Sequence, residues 1–128
     1  MYGKRSLVAG ILAGAMLMAV APAALAGSAD VIRRGSCSAA SDWKLKLSPE
    51  NGRIEVEFEV DQNVVGDVWS VRIRQNGERI FAGRRTTKAP SGSFEVRILA
   101  DDTAGNDAFR AAATNLATGE TCVGRATI

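Results

Sequence analysis

Three groups of residues in this chain have the types and spacing to do chemistry. Glu55, Glu57 and Glu59 alternate along one stretch, so on an extended strand their carboxylates share a face at roughly 7 Å intervals, within the range of glycosidase pairs. Acid–base work by such a pair needs one carboxyl kept neutral by an apolar pocket or a close like charge. Nothing beside these three supplies that, and they read as a solvated outer face. Asp101-Asp102-Thr103-Ala104-Gly105-Asn106-Asp107 offers oxygens to a cation such as calcium, but lacks the D-x-D-x-D-G spacing and the closing bidentate glutamate. It reads as an interstrand turn. The third group is basic: Arg72, Arg74, Arg79, Arg84 and Arg85 crowd into one short stretch; the plain reading is a solubilising face, and the functional one is docking of an anionic partner.

Other chemistry lacks its residues. The chain has no histidine, which removes Ser-His-Asp and Cys-His catalysis and the commonest metal ligand. Its two cysteines, Cys37 and Cys122, are expected to be paired, leaving neither a thiolate nucleophile nor a zinc site. No enzymatic activity, metal or cofactor is expected. The aromatic residues Trp43, Phe58, Trp69, Phe94 and Phe109 share the parity of core positions, so no rank of exposed rings awaits a sugar. Phe81 is the one candidate for an exposed apolar contact, on what reads as an edge strand.

The N-terminus sets the expected compartment. Lys4 and Arg5 precede an uncharged apolar run from Leu7 to Val20, and Ala24-Leu25-Ala26 forms a small-x-small site. That order is a secretory signal peptide over residues 1–26, cut between Ala26 and Gly27 and exported by the general secretory route. The run is shorter than the ~20 residues that span a bilayer, so no membrane attachment is expected after cleavage. The 16 basic and 14 acidic residues of the chain become equal once Lys4 and Arg5 are removed. The precursor's basic pI is therefore no sign of nucleic-acid binding. Outside the cell the default for two cysteines is a disulfide, and one closing so long a loop is worth roughly 4–5 kcal/mol in the chain-entropy model.

The elements that position these groups follow from alternation. Residues 27–36 read as a flexible polar lead and 37–128 as one domain. From Cys37, Ala39, Ser41, Trp43, Leu45 and Leu47 share one face. Arg53 to Asp61 is the cleanest strand, with Ile54, Val56, Phe58 and Val60 inward and the glutamates outward; a period of two this strict is incompatible with an amphipathic helix. Val68 to Arg74 repeats the scheme, and Asn76-Gly77 marks a two-residue hairpin into Glu78–Thr87. Ser93 to Ala100 alternates again, with Arg97 outward beside the glutamate strand. Asp107 to Glu120 and Thr121 to Ile128 complete seven strands and no helix. The expectation is an all-β, seven-stranded antiparallel sandwich.

The stretch Asp107, Phe109, Ala111, Ala113, Asn115, Gly119 and Glu120 resembles the F strand and F–G turn of immunoglobulin and fibronectin type III domains, D-x-(G/A)-x-(Y/F)-x-C-x-A-x-N…G-E. Phe109 stands at the tyrosine-corner position without its hydroxyl, and Ala111 stands at the usual cysteine. Trp69 falls where the third strand's core tryptophan would be. The resemblance implies an Ig-like sandwich without its central disulfide, stapled instead by Cys37–Cys122 across its terminal strands. It implies nothing about function.

The expected function is that of a small secreted, monomeric, non-enzymatic interaction or envelope-associated module of bacterial type. Its working surface would be the hairpin Val68–Thr87, with Arg72, Arg74, Arg79, Phe81, Arg84 and Arg85 meeting an acidic protein or a cell-wall polymer. The outer face carrying Glu55, Glu57 and Glu59 would form the acidic pole. A second reading is a protease inhibitor presenting Thr86–Gly92, or a small-ligand carrier; chromophore apoproteins of actinobacteria are similar in size, export and strand count.

Overall fold

The computed structural model describes Gly3 and residues 29–128. Apart from Gly3, the expected signal segment and the Ala26–Gly27 cleavage site lie outside the described residues. Eight strands follow in order: β1 (Val31–Ser36), β2 (Asp42–Glu50), β3 (Arg53–Asp61), β4 (Val68–Gln75), β5 (Glu78–Thr86), β6 (Ser93–Asp101), β7 (Ala108–Asn115) and β8 (Thr121–Thr127). They form two four-stranded antiparallel sheets, β1-β2-β3-β6 and β5-β4-β7-β8. With β2 taken as A, the sheets run A-B-E and C′-C-F-G, an immunoglobulin-type order with one extra strand at the A edge. The all-β sandwich is as expected, but with eight strands instead of seven.

The extra strand is β1, which occupies most of the segment expected to be a flexible lead. Its sequence, VIRRGS, does not alternate, because what recruits it is tertiary. Gly35 pairs with Trp43 of β2, and a Cβ at Gly35 would come within 2.6 Å of the Trp43 ring. On another flank of that ring, a Cβ at Gly124 of β8 would lie 2.7 Å away. The indole thus spans the gap where the β1/β2 edge of one sheet approaches β8 of the other, lying against two glycines with no side chains to displace it.

The same side of the sandwich carries the disulfide between Cys37 and Cys122. Cys122 lies in β8 as expected. Cys37 lies in the bend between β1 and β2 rather than within a strand, since the chain must turn there for β1 to pair back onto β2. Carboxylate bonding reinforces this corner. Buried Glu120 accepts hydrogen bonds from the backbone of Ala39 (3.0 Å) and Ser41 (2.9 Å) and from Ser41 Oγ (2.7 Å).

The core lies between the sheets, and the alternating faces expected of β3, β4 and β6 supply it. Leu45, Leu47, Val56, Phe58, Val60, Trp69, Val71, Ile73 and Val96 are fully buried. Trp69 meets Phe94 at a tilted 5.9 Å, in the edge-offset geometry aromatic quadrupoles favour. Phe109, Ala111 and Ala113 bring β7 into the same layer, with alanine giving the sheets room to close. Asn51-Gly52 and Asn76-Gly77 each hold two successive positive φ angles, the type I′ geometry whose twist matches the strands it joins.

Candidate functional site

The strand registers decide which charges meet. On the first sheet, Lys46, Glu57 and Arg97 stand directly opposite one another, as do Lys44, Glu59 and Glu95. Arg97 reaches Glu57, Glu95 (3.3 Å) and Glu55 (3.8 Å), and Lys46 reaches Glu57 (3.9 Å) and Asp30 (3.6 Å). Glu57 and Glu55 hold the Arg97 guanidinium above its ordinary pKa. Arg97 therefore does offset the glutamate strand as expected. Lys46 adds to this partial neutralisation, but outward carboxylates still outnumber cations on this face, and Glu59 stands directly opposite Glu95. Glu57 is covered by its partners Arg97 and Lys46, not by the apolar pocket that glycosidase chemistry requires.

The second sheet differs. Its outer face carries Arg79 of β5, Arg74 of β4, Arg110 of β7 and Arg125 of β8, and successive members are direct cross-strand partners: Arg79↔Arg74↔Arg110↔Arg125. Four guanidinium-bearing residues thus cross all four strands in a single row. At ~4.8 Å per strand the row extends about 14 Å. Arg72 and Arg84 add two more cations to this face, and all six are exposed. Among the described residues none of the six forms an ion pair; only Arg74 has a hydrogen-bond acceptor, the Gly77 carbonyl at 3.1 Å. Outward neighbours in the register are small, hydroxylic or aliphatic: Val68, Ser70, Ala82, Thr86, Ala108, Ala112, Thr114, Thr121, Val123 and Thr127. No carboxylate stands among them. Arg72, Arg74 and Arg110 rim one shallow depression that also includes Ser70, Ala112, Thr114 and Leu116.

Two residues expected on this surface lie elsewhere. The β4–β5 register shifts between Ile73 and Arg74, so that Ile73 pairs with Phe81 while Arg74 pairs with Arg79. Ile80 is the extra residue of this bulge, and it inverts the parity beyond it. Phe81 consequently points inward, half-buried against the core. Arg85 shares its parity and lies over the Phe81 ring at 5.2 Å. Arg85 also lines, with Arg84, Lys88, Glu59 and Glu95, a depression between β5 and β6 in which both signs of charge occur. Arg110 and Arg125 are the members that sequence reasoning missed. The signal was present for Arg110, which lies between inward Phe109 and Ala111.

The remaining candidates lie in turns held by internal hydrogen bonds. Asp107 is fully buried and accepts hydrogen bonds from the Thr103 amide (3.1 Å) and hydroxyl, Gln75 Nε2 (2.9 Å) and Asn76 Nδ2 (3.0 Å). It organises the loop from Asp101 as a turn cap; no cluster of metal-ligating side chains occurs among the described residues. Burial works against its ionisation, but these donors outweigh it and hold the carboxyl below its ordinary pKa. At the other end of the sandwich, Asp67 accepts from Asn115 (2.9 Å) and Gln62 (2.6 Å), which lower its pKa against a smaller effect of burial. Gln62 also accepts from the Trp69 indole at 3.0 Å. The Thr86–Gly92 segment is folded back as a turn, with Gly92 N donating to Lys88 O and Lys88 N to Ser93 O.

Comparison with protein families, curated proteins and solved structures finds no match for this chain.

Proposed function

We propose that this protein is a non-catalytic extracellular interaction module that docks an anionic partner on the outer face of its second sheet. The observation that carries this reading is the four-arginine row Arg79–Arg74–Arg110–Arg125. Like charges placed directly opposite on neighbouring strands destabilise a sheet, and three such pairs in one row oppose folding without a compensating acid on that face. A partner that brings negative charge relieves the repulsion, so the face binds anions at the expense of fold stability. The first sheet uses the same residue types differently, pairing Lys46, Arg53 and Arg97 with neighbouring carboxylates. An oxidising location agrees with the Cys37–Cys122 bond.

Binding to a panel of acidic macromolecules (an acidic polypeptide, an acidic polysaccharide and a phosphate polymer) tests the reading at low and moderate salt. The wild-type protein is expected to bind at least one, more weakly as salt rises. Reversing Arg74, Arg110 and Arg125 to glutamate should abolish it, while Lys44→Glu with Lys46→Glu should leave it intact. Equal binding by the arginine reversal sinks the proposal.

A further inference from the structure

We infer, resting on that reading, that the partner is a linear polymer bearing repeated phosphate groups, laid along the arginine row and across the strands. Every cation of the face is arginine, whereas the described lysines, Lys44, Lys46 and Lys88, all lie elsewhere. Charge alone would be served by either residue. The planar guanidinium fork adds directed pairs of donors that match oxyanions. Three such forks and the hydroxyls of Ser70 and Thr114 border one depression. A tetrahedral phosphate presents oxygens in several planes and can accept from β4 and β7 on both flanks. A planar carboxylate is served by a single fork.

The shape of the patch narrows the class further. Its cations repeat in a line at the strand spacing, which fits a repeating chain better than an isolated ion. Folded protein partners bind through buried aromatic or large aliphatic anchors, and the floor between the arginines is Ser70, Ala82, Ala112 and Thr114, with the aliphatic Val68, Leu116 and Val123 scattered at its edges. Single-stranded nucleic acid is held by base stacking on aromatic rings as well as by cations. Trp69, Phe81 and Phe109 all belong to the inner side of this sheet, and none faces outward. A phosphate polymer without bases needs neither anchor nor ring.

The test titrates the disulfide-bonded protein with long-chain inorganic polyphosphate, polyglutamate and oligothymidylate at several salt concentrations. Polyphosphate should bind most tightly, with log affinity falling against log salt at a slope of about −3 for four phosphate contacts. Arg74→Glu with Arg110→Glu should weaken it at least about tenfold and flatten the slope by about 1 or more. Arg74→Gln with Arg110→Gln, a milder change on a sheet surface, should show the same trend, and circular dichroism checks that each variant is folded. Polyglutamate or oligothymidylate binding as tightly as polyphosphate would overturn the phosphate assignment and leave anionic docking standing. If none of the three binds, the phosphate assignment falls, and anionic docking falls with it when the acidic polysaccharide also fails to bind. Polyphosphate binding undiminished in both folded variants also overturns the inference.

Discussion

Asp107 shows how a residue with the look of a metal ligand is claimed by structure. Its carboxylate is buried and receives donors from three side chains and one amide, so its lone pairs are already used. Replacing it with alanine leaves those donors without their acceptor, and Asp107→Ala should cost about 1–3 kcal/mol in urea unfolding. Asp107 and Asp67 both have pKa values lowered from 3.8. The sign follows from linkage: their contribution to stability is complete above the unfolded-state value and is lost as pH falls through the lower folded-state values. Stability should therefore decline below about pH 4, and Asp107→Ala should show a shallower decline. An identical acid profile in the variant would mean that Asp107 is not among the groups responsible.

At the scale of elements, Trp43 ties β1, β2 and β8 together. Its ring lies against the bare backbones of Gly35 and Gly124, so Gly124→Ala must push the indole outward or spread the strands. We expect a loss of about 1–3 kcal/mol, with a red shift in tryptophan emission; an unchanged midpoint would show that the ring has room to move. This contact also explains what the sequence concealed. Strict alternation made β3 legible to its end residues, and Asn76-Gly77 announced its hairpin. The β1 strand was hidden because its reason for existing, a glycine facing a ring on β2, is a relation between strands. Phe81 and Arg85 were placed on the wrong face because the Ile80 bulge is invisible to a period-two reading. Arg110 was readable as outward, but its neighbourhood with Arg74 depends on a register between segments far apart in sequence. The resemblance at Asp107–Glu120 located that strand without disclosing the row it completes.

The whole molecule has one fastened side and one open side. The β1/β8 side holds the disulfide, Trp43 and the Glu120 bonds, whereas the β5/β6 side has a solvent-lined depression. Reducing Cys37–Cys122, with its 85-residue separation, should lower unfolding stability by about 4–5 kcal/mol in the chain-entropy model. While the reduced protein remains folded, polymer binding should persist, because the arginine row lies on another surface. An unchanged unfolding midpoint after reduction would show that the bond constrains little. The row itself bears on how the chain finds its pairing. A slip of one residue between β4 and β7 would turn Arg110 inward and Ala111 outward, carrying a guanidinium into an apolar layer at a heavy desolvation cost. The same charges that strain the finished sheet thus penalise every odd-numbered misregistration, and they help exclude the alignments that would take a guanidinium out of water.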